Sequence, residues 1–165
     1  MKVRTIAVNG IVAAMYVILT AIINPFGFLV NQFRVPEMLN HLVIFNKKYF
    51  LGIVVGVFIS NLLFSPLLPL DLFYGVGHSI ISLTIAIIIS RYTKNIWVRM
   101  AFNTLVFSFM MFIIAHEIII VSDVKLAFFP VWLSLIGSEL LVMAAGIPVM
   151  YILNKRINLD QAITK

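Results

Sequence analysis

The 165-residue chain has no cysteine. It therefore has no disulfide, no thiolate nucleophile and no thiolate metal site, and its redox compartment cannot be read from it. Charge is scarce too. Asp, Glu, Lys and Arg make up 11% of the residues, against about 25% in an average soluble domain. No G-x-x-x-x-G-K-[ST] run occurs, which excludes a P-loop cradling nucleotide phosphates. What the chain has is apolar surface, since 62% of its residues are hydrophobic. One domain of this size has too little interior to hide that much from water. The excess must face lipid, which excludes a soluble enzyme and a disordered tail.

A helix needs about 20 apolar residues to cross roughly 30 Å of hydrocarbon. Stretches 5–23, 72–90, 100–121 and 128–153 qualify; 49–65 is slightly short and 36–46 clearly short. The expectation is an all-α membrane protein: a six-transmembrane-helix bundle, one integral membrane domain over 1–165. Lys2, Arg4, Lys47, Lys48, Arg91, Lys94, Arg99, Lys155, Arg156 and Lys165 then share one side, leaving Arg34 and Lys125 on the other. Positive-inside bias puts both termini in the cytoplasm of a multi-pass cell-membrane protein. Basic residues dispersed over four short segments speak for lipid headgroups and against nucleic acid. The apolar stretch after Lys2 and Arg4 is too long for a signal-peptide core, so an uncleaved first helix is expected.

The acidic residues gather towards the outer side: Glu37, Asp71, Glu117 and Asp123, with Glu139 inside the last helix. His41, His78 and His116 fall in the same half. Charge inside a membrane is expensive and normally faces a bundle interior or a wet cavity. An outward-opening polar pocket is the economical reading. Glu139 lies about 17 Å beyond Phe128 along a helix, near the midplane. Trp132 is two turns up the same stripe. A carboxylate below an indole suits a flat, donor-rich ligand, although a paired structural Glu and an interfacial Trp remain open.

Glu37, Asn40 and His41 stand at i, i+3 and i+4, one face of an α-helix that Pro36 would open. Residues 36–46 cover only about 16 Å at α-helical rise. The preceding loop, 24–36, with Gln32 and Arg34, is therefore read as a cap over the pocket, or else Arg34 and Glu37 form a surface pair. Asp71, Tyr74 and His78 share a stripe on the next outer helix, though Asp71 could merely cap it and His78 could merely pack. His116-Glu117 is not H-E-x-x-H, because Ile120 stands in the second His position, so no metal site is expected. Small residues let helices approach closely in lipid. Gly52, Gly56 and Ser60 are expected to pack inside the bundle. Gly10 and Ala14 could meet another protein, and a kink is expected at Pro148.

Several of these segments resemble the QueT-type queuosine-precursor transporter family. They are Gln32-Phe33-Arg34-Val35-Pro36-Glu37-Met38-Leu39-Asn40-His41-Leu42, Phe45-Asn46-Lys47-Lys48-Tyr49, Gly10 to Thr20, Asn61 to Pro66, and Gly137-Ser138-Glu139-Leu140. The resemblance covers nearly the whole chain. It implies a substrate-binding subunit, the S component, of an energy-coupling factor transporter. Such a subunit captures a 7-deazaguanine precursor from outside. Its partners are a transmembrane coupling protein and two cytoplasmic ATPases, docked through Gly10 and Ala14. Glu139 is the first choice for the ring edge and Glu37 the second, with Asn40, Gln32 and Arg34 as further contacts and Trp132, His41, Asp71, His78 and Glu117 around them. No cofactor and no catalysis are expected. A self-sufficient transporter, an intramembrane enzyme and a purely structural partner are the competing classes. No inverted repeat supports the first and no ordered nucleophile–base set the second.

Overall fold

The computed structural model describes residues 2–27 (the side chains of 24–27 excepted), 33–122 and 127–164. Every regular element among them is helical. In chain order these are α1 (Val3–Gly27), a 3₁₀ helix (Val35–His41) running into α2 (Leu42–Phe45), a short 3₁₀ turn (Lys47–Tyr49), α3 (Phe50–Phe64), α4 (Leu70–Ile89), α5 (Ile96–Met110), α6 (Phe112–Val121), α7 (Phe128–Ile157) and α8 (Leu159–Thr164). Val3–Ile23, Lys47–Phe64, Leu70–Ile89, Ile96–Val121 and Phe128–Ile157 are long and apolar enough to cross a membrane; Val35–Phe45 is apolar but shorter. Their outward faces carry Ile18, Phe73, Phe102, Leu133 and Leu141, as a lipid-facing surface requires.

Three places depart from the α-helical reading. The stretch Val35–His41, with Pro36 in its first turn, is a 3₁₀ helix of seven residues, unusually long for that geometry. Its larger rise stretches Val35–Phe45 to about 20 Å instead of about 16 Å. The expected 100–121 helix is broken at Met111 into α5 and α6. Thr104 and Ser108 turn their hydroxyls back onto the carbonyls of Met100 and Thr104, which bends a helix. The Phe109 carbonyl is drawn outward to accept from the Trp132 indole at 3.1 Å. Finally, α7 continues through Pro148. Pro148 has no N–H for the Ala144 carbonyl. One residue earlier, the Met143 carbonyl accepts from His41.

α1 and α3 hold each other closely. A methyl at Gly52 would sit 2.7 Å from Asn9 Oδ1, and one at Gly56 would sit 2.7 Å from Tyr16 Cβ. Only glycine permits this approach, as the spacing of Gly52, Gly56 and Ser60 predicts. Asn9 Oδ1 accepts from the Gly52 N–H at 2.7 Å, and Thr20 donates to Ser60 Oγ at 3.1 Å. At the basic end, Arg4 donates to the Ala162 carbonyl and Asn46 to Asp160, so the first and last helices meet.

Two apolar clusters fill the bundle. The larger includes Leu42, Ile44, Tyr49, Ile53, Phe107, Met143 and Met150. The smaller is Met111, Ile114, Ala115, Val131 and Leu135. On α7, Glu139 stands one turn from Leu135 and one turn from Met143, so it falls between the two.

Candidate functional site

The 3₁₀ geometry sets the first half of the site. At three residues per turn, side chains i and i+3 eclipse. Glu37 and Asn40 therefore stand one above the other, and Asn40 Nδ2 donates to Glu37 Oε2 at 3.1 Å. His41 is rotated off that line. It donates from Nε2 to the Met143 carbonyl at 2.9 Å and accepts at Nδ1 from Asn103 at 3.1 Å. Both ring nitrogens are engaged by α7 and α5, which fixes a neutral tautomer. The expectation of one shared face for all three is corrected here: His41 is a strut that pins this segment to the bundle.

α7 supplies the second half. Glu139 is fully buried. Its carboxyl lies within hydrogen-bonding reach of the Glu37 carboxyl, and no other donor among the described residues reaches either of its oxygens. Two ionised carboxylates can only accept. Side by side in a dry interior they repel unless a proton or a donor-rich group lies between them.

Arg34 is buried beside them and donates to both Asp71 oxygens, at 3.3 and 3.5 Å. Burial works against its charge, but Asp71 and then Glu37 more than compensate, so its pKa is raised and the guanidinium stays protonated. Asp71 is thus not a helix cap, since Pro69 holds that position. Nor do Arg34 and Glu37 form a surface pair. Asn61 donates to the Asp71 backbone carbonyl at 2.9 Å and closes this corner.

Glu117, on α6, is also fully buried, with neither oxygen receiving a donor among the described residues. The charges of Asp71 and Arg34 reach it. The ring beside the acids is Tyr16, 3% exposed and close enough to feel Glu37, Arg34, Glu139 and Asp71. Trp132 stands elsewhere, among Phe109, Phe128 and Phe129 against the smaller apolar cluster. It lies two turns along α7 from Glu139. His78 packs edge-on against Phe107 and bonds that residue's carbonyl at 3.3 Å. Gln32, Asp123, Lys125 and part of the 24–36 loop lie outside the described residues.

A narrow crevice of about 20 Å³ opens beside Arg34, between Tyr16, Thr20, Ser60 and Asn61. That is little more than one water needs. Tyr16, Asn61 and Thr20 are absent from the sequence-derived site. A signal for α1 existed in the spacing of Thr5, Asn9, Tyr16 and Thr20, which places four polar groups on one helical face, all buried. Among the described residues, no group of three His, Asp or Glu side chains could hold a metal ion.

An all-helical bundle with spans of membrane length, enclosing four buried acids and one buried arginine, has the build of a multi-pass membrane transporter. The chain belongs to the QueT transporter family, whose model matches residues 6–155. It is 31% identical to the queuosine precursor transporter QueT of Lactococcus lactis subsp. cremoris (strain MG1363), over 97% of this chain and 98% of that protein. No solved structure matches it significantly. The family is one of transporters, so this is a multi-pass membrane protein and not an enzyme.

Proposed function

We propose that this chain is the substrate-binding subunit of an energy-coupling factor transporter, capturing a 7-deazaguanine precursor of queuosine from outside. The name of its Lactococcus relative supports the precursor. The observation that carries the chemistry is the buried Glu37–Glu139 pair. A 7-deazaguanine ring presents an N–H and an amino group side by side. Placed against Glu139, these would give a charge-assisted bidentate contact and relieve the like-charge repulsion. Glu37 and Asn40 would hold the adjoining edge, with Arg34 nearby and Gln32 as a further proposed contact. Glu117 is the acid left for an aminomethyl cation. Asp71 acts through Arg34, His41 and His78 through packing, and Trp132 by closing the outer end. The narrow crevice beside Tyr16 implies that entry requires the 3₁₀ segment and α1 to part.

In this reading the chain crosses six times, with Val35–Phe45 as the short pass and both termini cytoplasmic. The meeting of Arg4 with Ala162 favours an even number of passes, and the clustering of ten basic residues favours the orientation. Energy comes from a transmembrane coupling protein and two cytoplasmic ATPases. The missing P-loop fits that division of labour. Gly10 and Ala14 are exposed on α1, and Gly10 has open space where a side chain would be. Such a smooth face would let a partner helix approach.

Isothermal titration of the purified protein with 7-deazaguanine precursors tests the substrate. Absence of binding by any of them at micromolar concentration, in a folded sample, overturns it. Co-purification with a coupling protein and ATPases tests the partnership, and uptake into liposomes holding this chain alone would replace it with a self-sufficient transporter.

A further inference from the structure

We propose that the basic end of the bundle carries a phosphate-binding site. A cleft of about 160 Å³ lies where α2, the end of α4 and the start of α5 meet. Lys47, Arg91 and Arg99 line it together with Ser90, and Phe45 and Ile87 form its apolar wall. Ser90 is 9% exposed, and its hydroxyl is buried with no partner among the described residues. Arg99 Nε is buried and equally without a partner. Lys47, Arg91 and Arg99 form no ion pair among the described residues. Asp160 accepts from Asn46, one of the lining residues, at 2.6 Å.

Three cationic residues thus line one small cleft, and two donors on its lining residues, Ser90 Oγ and Arg99 Nε, have no acceptor among the described residues. Leaving buried donors without an acceptor is unfavourable, and an anion would satisfy both. The groups approach from three separate elements. A tetrahedral phosphate turns acceptor oxygens in several directions and can meet them together, whereas a carboxylate offers two oxygens in one plane. Arginine forks and a serine hydroxyl are suitable donors for it. The phosphate can belong to a lipid headgroup or be free in solution. Arg99 lies in the first turn of the span Ile96–Val121, at headgroup depth, and the Phe45–Ile87 wall would accept the start of an acyl chain. These features favour the lipid. The inference is independent of what the outer site binds.

The test uses the full chain in detergent. Native mass spectrometry reads the retention of phosphatidylglycerol against phosphatidylcholine, and thermal shift reads the response to inorganic phosphate at matched ionic strength. Retention of phosphatidylglycerol should fall about tenfold in Arg99→Gln and severalfold in Ser90→Ala. It should be unchanged in Lys94→Gln, which removes the same charge outside the cleft. That pattern identifies a lipid headgroup. Stabilisation by inorganic phosphate alone, lost in Arg99→Gln, identifies a soluble phosphate. Should Arg99→Gln fail to fold, Ser90→Ala decides. If wild type and the cleft variants respond alike to both ligands, or if Lys94→Gln loses as much as Arg99→Gln, the proposal is overturned.

Discussion

The carboxyl of Glu37, on the 3₁₀ helix, lies within hydrogen-bonding reach of the carboxyl of Glu139, in the middle of α7, with both residues buried. The pair makes binding and stability separable. Glu139→Gln keeps the shape, gives Glu37 an amide donor and removes one negative charge. Affinity for a 7-deazaguanine should drop by about 1.5–3 kcal/mol, the worth of a charge-assisted hydrogen bond. The unfolding temperature without ligand should hold or rise. Titration calorimetry beside a thermal melt checks both, and a drop in stability with unchanged affinity would make Glu139 a structural residue.

Arg34 and Asp71 form an ion pair, and both are buried. Removing either partner takes the main counter-charge from the other. Arg34→Ala and Asp71→Ala should each destabilise the protein by about 3–5 kcal/mol. The double variant should lose much less than the sum of the two. Denaturant unfolding of all four proteins gives the coupling directly, and additive losses would mean that the pair does not act as a unit.

His41 bridges Met143 and Asn103. His41→Ala removes two buried hydrogen bonds and leaves the Asn103 amide without that partner, at about 1–3 kcal/mol. Melting should fall accordingly. Affinity per folded molecule should stay close to wild type, measured by titration below the melting transition. A selective loss of affinity would return His41 to the ligand's contacts.

Two glycines should behave in opposite ways. At Gly52 an added methyl would meet the Asn9 side chain at 2.7 Å and its backbone oxygen at 2.8 Å. Gly52→Ala should therefore cost about 1–3 kcal/mol by overpacking. At Gly10 there is nothing within 4 Å. Gly10→Leu should melt and bind like wild type yet lose co-purification with the coupling protein and ATPases proposed above. Retained co-purification would take Gly10 out of the docking face.

Hydropathy made the spans legible, and the cost of intramembrane charge made Glu37, Asp71, Glu117 and Glu139 legible as a group. The four-residue spacing of Gly52, Gly56 and Ser60 was readable as packing for the same kind of reason. What misled was helical period. A run that reads as α-helix after Pro36 winds as 3₁₀, and that change of period carries His41 away from Glu37. Trp132 shares a stripe with Glu139, but a stripe two turns long spans two different neighbourhoods. At the break at Met111 the local hint, two hydroxyls turned back onto α5, is joined by a carbonyl that accepts from an indole of another helix, a tertiary contact with no local signature. Tyr16 was hidden by its own apolarity, because a phenol in a 25-residue apolar helix reads as one more hydrophobe.

The clasp between α1 and α3 reaches further than packing. Asn9 grips Gly52, Tyr16 nests on Gly56, Thr20 ties Ser60, and the next residue, Asn61, holds the backbone of Asp71. These links run in order from the basic end of the molecule to the buried acids. Torque applied to the outer side of α1 would travel along this ladder as through a crankshaft. The two helices would turn together and carry the arginine corner with them.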